Sequence, residues 1–234
     1  MKMSHLMVGV AMSLGLLALT AQGADAATTF ADFSPSSSSA NVTLSGLSLT
    51  ANAPVVFDFL ETPALAAFGD LQGAWAMSAT ETGATAFGPL ALATFDGSFS
   101  FTYTGLTQTI GAITINPGDN LLSGTFLGSV FTGYGSSGSL DDSVLGGGLV
   151  SYSSHFLTFD PLGDQGISLA LTTVSPAVQV VGGQLTNFTA VSSGNFSAGI
   201  TSAVPEPATW AMMLLGFGGL GLALRSQRRL AIAA

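Results

Sequence analysis

Two glutamates, nine aspartates and one histidine are the groups between residues 27 and 204 that could move a proton near neutral pH. A glycosidase needs two carboxylates about 5–10 Å apart across a cleft, one acid and one base or nucleophile. Glu61 and Glu81 are the glutamates available, with Asp58, Asp70 and Asp96 nearby in the chain. Their spacing matches no β-sandwich glycosidase pattern such as Glu-x-Asp-x-x-Glu. His155 lies in the strand-like stretch Ser153 to Asp160. As the base of a Ser-His-Asp set it would need Asp160 or Asp142 to orient it, and no Gly-x-Ser-x-Gly elbow supplies a nucleophile. A single histidine in a chain without cysteine is also a poor donor set for zinc. His155 is therefore read as a satisfied or solvent-facing strand residue, and no enzymatic activity is expected.

Carboxylates with no cation among them suit calcium, a hard ion that prefers oxygen donors. Asp141-Asp142 and Asp119-Asn120 are the candidate clusters, although neither an EF-hand nor a Gly-Gly-x-Gly-x-Asp repeat is present. The alternative is a solvated acidic surface that keeps the protein apart from its own copies. No cofactor beyond that possible calcium is expected. Nucleic acid is excluded as a partner, because phosphate contacts need Lys or Arg. Trp75 and Tyr152 could stack on sugar rings, but a lone strand aromatic more often belongs to a core. Thr102, Thr104, Thr107 and Thr109 do not recur at one fixed rung, so a Thr-ladder ice face is not expected.

The four basic residues stand at the two ends of the chain, as Lys2, Arg225, Arg228 and Arg229. Lys2 and His5 open a positive start, Leu6 to Leu19 is apolar, and Ala24-Asp25-Ala26 is a small-x-small site. These are the three parts of a secretory signal peptide spanning residues 1–26, with cleavage before Ala27. The Sec translocon and signal peptidase are its expected partners. At the other end, Ala208 to Leu224 carries no charge and is just long enough for a transmembrane helix. Arg225, Arg228 and Arg229 follow as a stop-transfer signal and keep that end cytoplasmic. Before the apolar run, Pro205-Glu206-Pro207 holds Val204 and Glu206 extended, a form that a protease reads easily.

Residues Val204 to Gly218, with Pro-Glu-Pro followed by Thr209-Trp210-Ala211-Met212-Met213 and then the arginines, resemble the PEP-CTERM sorting signal. The same tail also goes by the name of ice-binding protein C-terminal domain. Ser226 and Gln227 split an arginine run that is often continuous in that family. The resemblance covers residues 205–234 and implies export by a Gram-negative cell and recognition at Pro205, Glu206 and Pro207 by exosortase, a membrane-embedded cysteine protease. Trp210 would sit at the membrane interface. The implied product is a non-enzymatic surface or matrix protein linked to exopolysaccharide or biofilm. It would be held first as a single-pass inner-membrane intermediate. The alternatives are a calcium- or glycan-binding adhesin and a carboxylate-based glycan hydrolase.

Residues 27–204 form the exported domain, long enough for one real core. Cysteine is absent, so no disulfide can staple it. Val42, Leu44, Leu47 and Leu49 alternate with polar residues around Gly46, as do Phe99, Phe101 and Tyr103. Ile113 and Ile115 precede the turn Asn116-Pro117-Gly118-Asp119. Further strands are expected at Val55–Leu60, Gly124–Phe131, Phe156–Phe159, Ile167–Leu171, Val178–Val181, Phe188–Val191 and Phe196–Ile200. Short strands parted by Gly, Ser, Asn and Asp predict an all-β domain, an antiparallel sandwich or jelly roll. No period of 20–30 residues supports a solenoid. A short helix or a loop is expected within Glu61 to Met77. Mobile loops are expected at Tyr134 to Gly148, the suggested adhesin site, and at Thr29 to Ser39.

Overall fold

A computed structural model describes residues 27–142, 149–160 and 164–199. In chain order the strands are β1 (Thr28–Pro35), β2 (Val42–Ser45) and β3 (Ser48–Phe59), then the one-turn helix α1 (Pro63–Ala66). The long strands β4 (Leu71–Phe87) and β5 (Leu90–Tyr103) follow, then the small hairpin β6 (Gln108–Ile110) and β7 (Ile113–Ile115). Next come β8 (Asn120–Tyr134), β9 (Ser137–Asp141), β10 (Leu149–Ser153) and β11 (Gln165–Ser175). A second small hairpin, β12 (Val180–Val181) and β13 (Gln184–Leu185), precedes β14 (Phe188–Ala198).

The all-β class is as expected; the sandwich is not. The strands close into an eight-stranded antiparallel barrel in the order β1-β14-β11-β9-β8-β5-β4-β3, with β3 returning to β1. A sandwich would leave sheet edges on both sides. Here β1 removes them, pairing through Thr28–Phe33 with β14 and through Ala31–Pro35 with β3. Further along the same seam β2 repeats the arrangement, pairing with β14 at Phe188–Ala190 and with β3 at Leu49–Ala51. Asn41 secures the step between them: its Oδ1 accepts the Ser192 N–H at 2.8 Å, and its own N–H donates to Ala190 at 2.8 Å. Full closure is one of the few ways a sheet abolishes its edges.

Period-2 alternation decides which side faces in. Along β3, Leu49, Ala51, Val55, Phe57 and Phe59 are buried, while Thr50, Asn52 and Asp58 lie outside. Along β5 the inward set keeps one phase, Ala91, Ala93, Phe95, Phe99, Phe101 and Tyr103, while β8 carries an extra residue opposite Phe95–Gly97 and shifts its inward set from Phe126 to Ser129 and Phe131. Apolar inside and Ser, Thr, Asn and Asp outside is the inverse of a membrane-spanning barrel. Aromatics fill the interior. Phe33 packs 4.9 Å from both Trp75 and Phe101, Phe99 stacks on Phe196 at 5.2 Å, and Phe131 stacks on Phe188 at 5.9 Å. Each such pair contributes about 0.5–1.5 kcal/mol beyond its buried area. Trp75 is thus core, and Tyr152 joins it, with Phe30 5.5 Å away and its hydroxyl donating to the Gly166 carbonyl.

Several local expectations are corrected. Thr29 to Ser39 is not a loose entry, since most of it is the closing strand β1. Tyr134 to Asp141 is a hairpin of β8 and β9 rather than a loop; residues 143–148 lie outside the described residues. Phe156–Phe159 is not a strand: β10 ends at Ser153 and His155 sits in a bend. Phe188–Val191 and, of the expected Phe196–Ile200, Phe196–Ala198 belong to the single strand β14, Ile200 lying outside the described residues; of Val178–Val181 only β12 is strand. The helix within Glu61 to Met77 shrinks to α1, so Trp75 and Met77 belong to β4.

The barrel has two unlike ends. Thr28 is the direct partner of Ala198, so the first and last strands meet at what we call the near end. Phe59, α1, Tyr103, the β6–β7 hairpin, Asn120 and Gln165 lie on that side. The far end carries three two-residue turns, Gly46-Leu47, Gly88-Pro89 and Gly135-Ser136, together with the β12–β13 hairpin. Gly88 and Gly135 take φ of 61° and 57°, a left-handed geometry open to glycine and strained for most other residues.

Candidate functional site

Gly199 is where the described chain leaves the barrel. Its N–H donates to the Asp164 carbonyl and its own carbonyl accepts from Asp160 N–H, both at 3.3 Å. Ala27, the expected first residue after signal cleavage, lies beside it because Thr28 faces Ala198. Both termini therefore leave from one end. Five residues separate Gly199 from Pro205, so the two are at most about 22 Å apart. A protease at Pro205-Glu206-Pro207 would work next to the near end without opening any strand. Ala24 and Ala26, Pro205, Glu206, Pro207 and Trp210, the helix at 208–224, and Arg225, Arg228 and Arg229 lie outside the described residues. Among the described residues no helix is long and apolar enough to cross a membrane.

The acids were the other candidates, and the structure scatters them. Asp119 sits in the near-end turn, where its Oδ2 accepts the Asn116 N–H at 2.7 Å. Its Oδ1 lies 3.2 Å from His155 Nδ1. The Asn116 hydrogen bond, helped by His155, holds its carboxyl below the usual aspartate value. So the acid beside His155 is Asp119, not Asp160 or Asp142. The neighbouring hydroxyl, Ser154 Oγ, donates to the Leu121 carbonyl at 2.6 Å rather than to His155.

Asp141 ends β9 and accepts from Ser168 Oγ at 2.5 Å, while Asp142 is pushed up mainly by burial. Among the described residues, no three His, Cys, Asp or Glu side chains are grouped so as to hold a metal ion.

The glutamates are also apart. Glu61 is exposed just before α1 at the near end. Glu81 lies ten residues beyond Leu71 along β4, about 33 Å along the strand. No single cleft can use both. Glu81 is 3% exposed, and both of its carboxylate oxygens accept from the Leu185 N–H, at 3.1 and 3.3 Å. Burial raises its pKa, and that backbone hydrogen bond lowers it in part.

The carboxylates that do meet are Asp32 and Asp58, direct partners across the β1–β3 seam, with Asp70 close by. Burial first, and then the Asp70 charge, raise the pKa of both seam residues, and Asp32 adds a further push on Asp58. Sequence reasoning did not single out this pair, because only the long-range closure brings β1 against β3.

Comparison with known proteins falls on the tail alone. No curated protein and no solved structure matches the chain. A family model described as the PEP-CTERM protein-sorting motif matches residues 203–229. That motif marks an exported protein that an exosortase-type membrane enzyme processes, held at the membrane and then placed at the surface. The chain carries the PEP-CTERM sorting motif directly behind a closed β-barrel.

Proposed function

We propose that this protein is a non-enzymatic surface or extracellular-matrix barrel, displayed by a temporary C-terminal tether and linked to exopolysaccharide or biofilm. The Sec machinery would export it and signal peptidase would cut before Ala27. Ala208 to Leu224 would hold it in the inner membrane, with Arg225, Arg228 and Arg229 on the cytoplasmic side. The observation that carries this reading is the sorting motif at 203–229, six residues or fewer from the last barrel strand. An interior filled with aromatics and two glutamates that share no cleft support a binding or structural role over catalysis.

The test is replacement of Pro205-Glu206-Pro207 by three alanines, followed by intact mass and fractionation. The wild-type protein from the cell surface should have lost the arginine tail. The variant should keep it and stay in the membrane fraction. Unchanged mass and location would reject the reading.

A further inference from the structure

The loop between β5 and the β6–β7 hairpin holds a leucine out in water. Leu106 is 86% exposed, and Ile110 at the hairpin turn and Leu60 before α1 also stand in solvent at the near end. The exposure of Leu106 is built in. Tyr103 is buried, its hydroxyl donates to the Leu106 carbonyl at 2.6 Å, and Gln108 Nε2 donates to that hydroxyl at 2.7 Å. Gly105 passes so close to the Tyr103 ring that no side chain fits there. On either side, the Thr104 N–H donates to the Gln72 carbonyl at 2.9 Å and Thr107 Oγ1 to Asn116 Oδ1 at 3.2 Å. A leucine in an untied loop could fold back on the barrel; this one is tied away from it.

The tail decides what lies opposite. Both termini leave from the near end, and Gly199 is nine positions from Ala208, at most about 32 Å. With the tail in a bilayer, the near end is the part brought to the lipid surface. Phe87 and Leu47, exposed at the far end, stand a strand length further off. A tether this short gives an effective concentration in the millimolar range, so a contact too weak to hold a free barrel is still occupied.

Charge selects the kind of lipid. Glu61 and Asp70 are exposed beside α1, Asp119 lies in the turn after β7, and no Lys or Arg between residues 27 and 204 offsets them. An anionic bilayer repels that rim. A zwitterionic one presents ammonium groups outermost, which suit carboxylates standing around an apolar tip.

We propose that the apex formed by Leu106 and Ile110 is a lipid-contact surface, which seats the tethered barrel near end down on a zwitterionic bilayer. Such interfacial contacts strengthen with the apolar area they bury. This contact rests on the membrane-tether reading above and adds an orientation to it. Cleavage in the Pro205-Glu206-Pro207 stalk removes the tether and with it the occupancy of the contact.

The test uses the full-length protein in vesicles of phosphatidylcholine and phosphatidylethanolamine. Because the chain lacks cysteine, a lone Thr109→Cys or Ser136→Cys takes an environment-sensitive dye at the near or the far end. Lipid with brominated chains should quench the dye at residue 109 and spare the dye at residue 136. Leu106→Asp changes an exposed side chain and leaves the Tyr103 hydrogen bonds in place, because they use the Leu106 carbonyl. It should bring quenching at residue 109 down to the level at residue 136. Added phosphatidylglycerol should do the same, and high salt should restore the quenching. Flotation keeps the two readings apart. Protein that does not float with the vesicles has no membrane tether, which ends both. Protein that floats but is quenched equally at the two residues ends the lipid contact alone. Quenching at residue 109 that survives Leu106→Asp would overturn it as well, and if tail processing in cells fell at the same time, the leucine would belong to the processing enzyme.

Discussion

Glu81 shows how little chemistry a buried carboxylate need perform. Its two oxygens serve one backbone N–H, that of Leu185, and so pin the β12–β13 hairpin to β4 across 104 residues of chain. Glu81→Ala leaves that N–H without an acceptor and is expected to cost about 1–3 kcal/mol in denaturant unfolding. Glu81→Gln keeps an acceptor and removes the buried charge, so it should be neutral or stabilising at pH 7.

Asp32 and Asp58 present the reverse case, two like charges face to face on the closing seam. Their pKa values are raised in the fold, as is that of Glu81, so the folded state binds more protons than the unfolded one. Stability from these groups is full below the ordinary carboxyl pKa of about 4 and falls as pH rises through the raised values. Asp119, with a lowered pKa, has the opposite sign. Urea midpoints should therefore be higher near pH 4–5 than at pH 7. Asp32→Asn should flatten that slope and stabilise the protein at pH 7 by a few tenths to about 1 kcal/mol.

At the scale of the element, bulges and close crossings bend long strands into a barrel. Gly97 follows the bulge after Phe95, where β4 crosses so closely that an added Cβ would meet Ala79 Cβ at 2.5 Å and Ser78 O at 2.6 Å. Gly97→Ala should destabilise by about 1–3 kcal/mol or more, because backbone has to move. Gly83→Ala, with open space around it, should change the unfolding midpoint little.

The same geometry explains what the residues disclosed in advance. The alternation of Phe99, Phe101 and Tyr103 is local and announced β5. The stretch from Tyr134 to Gly148 reads as a loop because it is Gly- and Ser-rich, and its Gly138 pairs with Gly133. In the fold those two glycines face each other across β8 and β9, and the Phe131 ring covers both. Small residues there make room for an aromatic. β1 was missed for another reason: its partners lie about 20 and 160 residues away, and a bulge between Thr29 and Ala31 breaks its alternation. The sorting motif needed no fold to be recognised.

For the molecule as a whole, the decisive pairing is the one between its first and last strands. Export delivers Thr28 early and Ala198 nearly last, yet each is the other's partner. Until β14 emerges, β1, β2 and β11 have exposed hydrogen-bonding edges and apolar faces with nothing to cover them. The ring cannot close until Ala198 is available, and the sorting motif begins only five positions further on, at residue 203. Completion of the barrel and exposure of that motif therefore depend on the same short stretch of chain.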